Sequence, residues 1–155
     1  MIRMVLAIAA IGILVLLLVV TGLALRHFMA DARKSSRYKL NARFREEDML
    51  RHDVIAHCYG FESGNGEQYR GNGALVLTNE MIWYSKMATD EMLEIPMSSI
   101  REVEIEMEFR GELGEGRLLI VTFERNGQND RVAFFTEAPF EWRIAILNLS
   151  QHPGT

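Results

Sequence analysis

Three hydrophobic patterns follow one another along this chain. From Met4 to Leu25 the run MVLAIAAIGILVLLLVVTGLAL contains no charged residue. At about 1.5 Å per residue such a helix reaches roughly 33 Å, more than a hydrocarbon core of about 30 Å. The pattern predicts one transmembrane helix over residues 1–25. A cleaved signal peptide is the competing reading, with Ala30-Asp31-Ala32 as a weak cleavage match, but a signal's apolar region is shorter, about 7–15 residues. Over residues 26–52 the apolar positions thin out. Leu40 and Phe44 lie four apart, and Arg43, Glu47 and Arg51 repeat at the same interval, which predicts a connector that is partly helical with some ion-pair support.

Beyond Val54 the period changes to two, the spacing of strands. The predicted strands are Val54–Phe61, Gly73–Thr78, Met81–Ser85, Met92–Ile95, Arg101–Phe109, Leu118–Glu124 and Arg131–Phe135. Asn79-Glu80 separates the second and third as a hairpin turn, with Asn79 suited to a left-handed conformation. Pro96 ends the fourth, because proline cannot donate to a ladder. In the fifth, Val103, Ile105, Met107 and Phe109 alternate with Glu102, Glu104, Glu106 and Glu108, so one face is expected to be dry and the other anionic. Asn126-Gly127 marks a tight reversal before the seventh strand. Pro139–Leu149 then reads as an amphipathic helix, capped by Thr136 or Glu137, with Phe140, Ile144 and Leu147 on one face and Trp142, Ile146 and Leu149 widening the stripe. With no βαβ unit, a parallel nucleotide-binding sheet is not expected.

Charge divides the chain along the same lines. The overall charge is −4, yet residues 1–45 hold eight basic groups against Asp31, and residues 46–155 hold nine basic against twenty acidic groups, a net −11. An acidic globular part would be repelled by phosphate backbones, which argues against nucleic acid as a partner. Only Arg3 precedes the apolar run, whereas Arg26, Arg33, Lys34, Arg37 and Lys39 follow it. Basic residues stay cytoplasmic, so the expected topology is a single pass through the inner (plasma) membrane, N-terminus outside and C-terminal domain in the cytosol. The same five residues are candidate contacts to anionic lipid headgroups.

The order of seven antiparallel strands and a closing helix resembles the pleckstrin-homology (PH) superfold. The stretches Gly73-Ala74-Leu75-Val76-Leu77-Thr78-Asn79-Glu80-Met81-Ile82-Trp83-Tyr84 and Ile95-Pro96-Met97-Ser98-Ser99-Ile100-Arg101-Glu102-Val103 are similar to bacterial PH-like and GRAM-type domains. The resemblance implies a partly open barrel over about 53–150, closed by a helix whose Trp142 packs on the open end, followed by a tail at 151–155. It further implies a binding module and not an enzyme. Phosphoinositide-binding PH domains cluster Lys and Arg in the loop between their first two strands. Here that loop carries Glu62 and Glu67, with Arg70 at its far end, so headgroup specificity is not carried over.

No catalytic, cofactor or metal site emerges. His57 and Cys58 point to opposite faces of one strand and, with His52, lack a completing ligand. Gly111–Gly116 joins two strands, carries two carboxylates and lacks the Lys-Ser/Thr pair of a phosphate loop. The row Glu102, Glu104, Glu106 and Glu108 is the candidate partner surface, long enough for a row of basic side chains on another protein. A solvated face that blocks edge-to-edge aggregation is the plainer account of it. The sequence therefore predicts a membrane-tethered PH-like binding or scaffold domain at the cytoplasmic face, recruiting or regulating a protein partner. Lipid sensing by the connector and barrel mouth is the alternative, followed by a small-molecule enzyme.

Overall fold

The computed structural model describes the backbone of residues 2–151 and the side chains from residue 11 to 150 except 28, 29 and 32. Arg3, which bears on the expected orientation, and the predicted tail over 151–155 lie outside the described side chains. Two compact units are present, Met1–Lys34 and Ser35–Thr155. One helix, α1, runs over Ile2–Arg43. In the first unit its described residues from Ile11 to Leu25 are all exposed.

Among the described residues no helix is long and apolar enough to cross a membrane. This corrects the predicted transmembrane helix and, with it, the predicted single-pass inner-membrane location. The helix does not stop where the apolar run does. Arg26 follows at once, and the helix continues through charged residues.

The second unit is a seven-stranded antiparallel sheet with a closing helix. Its strands are β1 (Arg51–Phe61), β2 (Gly71–Leu77), β3 (Met81–Lys86), β4 (Met92–Pro96), β5 (Ile100–Phe109), β6 (Glu112–Arg125) and β7 (Gln128–Phe135), in the order β4-β3-β2-β1-β7-β6-β5. The main core draws on all seven strands, and β4 and β5 are the sheet's two unpaired edges. Long β1 serves both halves, pairing with β2 and with β7; its register breaks between Asp53 and Ala56 and between Cys58 and Phe61. Such irregularities bend a strand and let it pass from one half-sheet to the other.

Strand β2 is buried from Gly73 to Leu77 without alternation because both of its faces are covered. Leu75 and Leu77 face the main core, whereas Ala74 and Val76 meet Trp83 and, from the end of α1, Leu40. Around that contact Lys39 Nζ donates to the carbonyls of Lys86 and Thr89, at 3.1 and 2.7 Å, and Arg43 pairs with Glu94. The helix ends at Arg43; Glu47 instead meets Arg45, and Arg51 meets Glu141.

Both long hairpins turn on residues with positive φ, Arg110-Gly111 at 56° and 77° and Asn126-Gly127 at 53° and 76°, as two-residue turns that follow the strand twist require. Strand β6 therefore begins at Glu112, and most of the predicted glycine loop is strand. Asn79 needs no left-handed geometry: Thr78 Oγ1 accepts the N–H groups of Glu80 and Met81, at 3.2 and 3.1 Å, and holds that turn. Gly73 is required by proximity, since a Cβ there would lie 2.3 Å from the Ser85 carbonyl oxygen.

Helix α2 (Pro139–Gln151) closes the barrel by burying Trp142 and Ile146. Phe140 and Ile144, 50% and 57% exposed, form its outer face. Thr136 and Glu137 do not serve as the expected cap; the Thr136 hydroxyl and the Glu137 N–H both donate to Asp53 on β1.

Candidate functional site

On the outer face of the second half-sheet the pleat places Glu102 opposite Thr122, Glu104 opposite Ile120 and Glu106 opposite Leu118. Beneath them Leu118, Ile120 and Ala133 form a small apolar cluster with Tyr59 and Phe109. Arg131, opposite Thr122 on β7, extends its guanidinium over this floor. It reaches Glu106 at 2.7 Å and Glu104 at 3.4 Å, and on its other side Glu62, from the loop after β1, at 3.1 Å. The arginine side chain is only 26% exposed. Burial works against its charge, but Glu106 and Glu62 outweigh that and raise its pKa above the usual arginine range.

One guanidinium thus faces three carboxylates, and Glu102, exposed on the same strand, meets no cation among the described residues. The face keeps a surplus of negative charge after its internal pairing. The predicted row of four carboxylates is shorter than it reads. A bulge between Glu106 and Glu108 reverses the alternation, so Phe109 joins the outer apolar cluster and Glu108 points off that face. The expected dry face fails at the same place: Val103 is buried and Ile105 partly so, but Met107 is 51% exposed.

The predicted headgroup cations have different fates. Arg26, Arg33 and Lys34 are exposed in the first unit and Arg37 is exposed in the second, whereas Lys39 is occupied by the β3–β4 loop. The loop after β1 is cross-braced: Glu67 pairs with Arg110, Arg70 with Glu112, and Asp130 accepts from the Ser63 hydroxyl and N–H. The Arg110 hydrogen bond holds the Glu67 carboxyl below the usual carboxylate range.

His57 bonds Asn72 through Nδ1 at 2.7 Å, while Cys58 is buried on the opposite side of β1, where loss of solvent pushes its thiol up to about 12. No group of three or more metal-ligating side chains occurs among the described residues. An open cleft of about 240 Å³ is lined by Ser63, Asn65, Arg125, Asn126 and the start of β7.

Arg131 is the residue that sequence reasoning missed. The glutamates that share it come from β5 and the β1–β2 loop, about 25–70 positions away.

Comparison with solved structures identifies the fold class. A chain of the 8S snRNP assembly intermediate superposes with TM-score 0.56 at 10% identity, covering 72% of this chain and 89% of that one. The Vps36 N-terminal PH domain gives TM-score 0.52 at 18% identity, covering 70% of this chain and 83% of its own. The fold is PH-like. These likenesses reach the fold alone and do not extend to the narrower GRAM-type and bacterial resemblance. No protein-family model and no curated protein sequence matches the chain.

Proposed function

We propose that the 35–155 unit is a binding module that docks a basic segment of a partner protein on the face formed by Glu62, Glu102, Glu104 and Glu106. The observation that carries this reading is the unequal pairing at Arg131, which leaves carboxylates fixed in position but not neutralised. Carboxylates prearranged by a shared guanidinium over an apolar floor need little reordering when a cationic side chain arrives. The acidic net charge of residues 46–155 speeds encounter with a basic partner and disfavours an anionic one. The PH-like fold is consistent with a scaffold of this kind, since it holds Glu102, Glu104 and Glu106 on a paired strand, with Glu62 added from the loop after β1.

The test uses a fluorescent octalysine peptide and the full-length chain. Binding is expected, and Glu102→Lys combined with Glu104→Gln is expected to weaken it by about tenfold or more, roughly the removal of a close charge pair. Glu108→Lys, which lies off this face, is expected to have a much smaller effect. Equal affinities for all three proteins would sink the proposal.

A further inference from the structure

The carboxylate face ends at an open edge of the sheet. Strand β5 is the outermost strand on its side and runs for ten residues; between its register breaks, Glu102–Glu106 gives about 17 Å of regular unpaired edge at 3.3 Å per residue. The opposite edge, β4, has five residues, stops at Pro96, and is braced by the Arg43–Glu94 pair. On β5 the direction of the free backbone groups is visible. The Val103 carbonyl accepts Arg143 Nε at 3.0 Å and therefore points away from β6. Register is unbroken from Glu102 to Glu106, so the Ile105 N–H and carbonyl point to the same open side. A guanidinium now occupies the place that the donor of an added strand would take.

From this edge, and resting on the docking reading above, we infer that the partner segment binds in extended form as an eighth strand alongside β5. Its chemistry follows from the pleat. Residues opposite Glu102, Glu104 and Glu106 share their face and lie about 4.5–5.5 Å away, so they are Lys or Arg. The residues between them lie on the side of Val103 and Ile105, against which α2 packs, and are apolar. The exposed Met107 of β5 and the exposed Phe140 and Ile144 of α2 offer apolar surface on the two elements concerned. A second copy of β5 is the wrong occupant, because its own glutamates would stand opposite these.

The test uses a nine-residue peptide alternating Lys and Val, and the same peptide N-methylated at every residue whose N–H would face β5. Amide hydrogen exchange is followed on the full-length chain. Expected are binding of the first peptide, at least tenfold slower exchange at Val103 and Ile105, and an affinity loss of about tenfold or more on N-methylation, in line with removing several hydrogen bonds. Ile105→Pro removes an outward N–H without touching the β5–β6 ladder. It is expected to weaken binding similarly while the circular dichroism spectrum is retained.

Binding that depends on Glu102 but leaves exchange at Val103 and Ile105 unchanged and tolerates N-methylation overturns strand addition and spares the docking face. Binding indifferent to Glu102→Lys overturns both. If Ile105→Pro fails to fold, the exchange and N-methylation measurements on the unaltered chain still decide the matter.

Discussion

Arg131 holds Glu62, Glu104 and Glu106 within 3.4 Å on an apolar floor, so its removal both deletes three contacts and exposes mutual repulsion among the carboxylates. Because the glutamates are themselves more than a third exposed, solvent screens part of this. Arg131→Met is expected to lower stability by about 1–2 kcal/mol in urea melts at neutral pH. At Glu67 the sign runs through protons. Its folded pKa is depressed by Arg110, so its contribution is present above the unfolded carboxylate pKa and fades as pH falls through the folded value. Glu67→Gln is expected to flatten the acid side of the stability curve, with the two proteins converging at low pH; a constant gap at every pH would refute this. The alternating glutamates themselves were legible as a surface feature. Their shared arginine was not, because which strand lies beside which is set by pairing between segments far apart in the chain.

Among the elements, α2 shows how far periodicity reaches. Its existence and approximate limits follow from the 3.6-residue pattern, but two apolar stripes compete for the core, one through Phe140 and Ile144 and one through Trp142 and Ile146. The barrel's open end selects the second, since Trp142 fills it, and leaves the first exposed. Trp142→Ala is therefore expected to cost about 3–5 kcal/mol. Phe140→Ala is expected to change thermal stability by about 0.5 kcal/mol or less; comparable losses would show that the helix is seated differently. The end of α1 teaches a similar lesson. Leu40 reads as part of a loose connector, yet it is 2% exposed, packed on Trp83 and flanked by the Lys39 and Arg43 contacts. The burial of Ala74 and Val76 on β2 is its counterpart, and a strand apolar on both sides signals that something covers the second face.

For the whole molecule the consequence of charge is the most general. With residues 46–155 at −11, octalysine binding is expected to weaken steadily between about 0.05 and 0.5 M salt as the Debye length shrinks from roughly 14 to 4 Å. Titrations across that range check it, and an affinity independent of salt would contradict an electrostatic docking face. Sequence by itself determined the strands, the closing helix, the Asn126-Gly127 reversal and the uneven distribution of charge, because these depend on side-chain alternation, local turn chemistry and composition. Counting uncharged residues over 4–25 also predicted a membrane span, whereas no helix among the described residues is long and apolar enough for one. Only tertiary structure decided that β4 and β5 are the edges, that a bulge turns Glu108 out of the row, and that Arg131 gathers carboxylates from two elements. Each of those outcomes depends on strand order and register, which are long-range properties that no local window of residues contains.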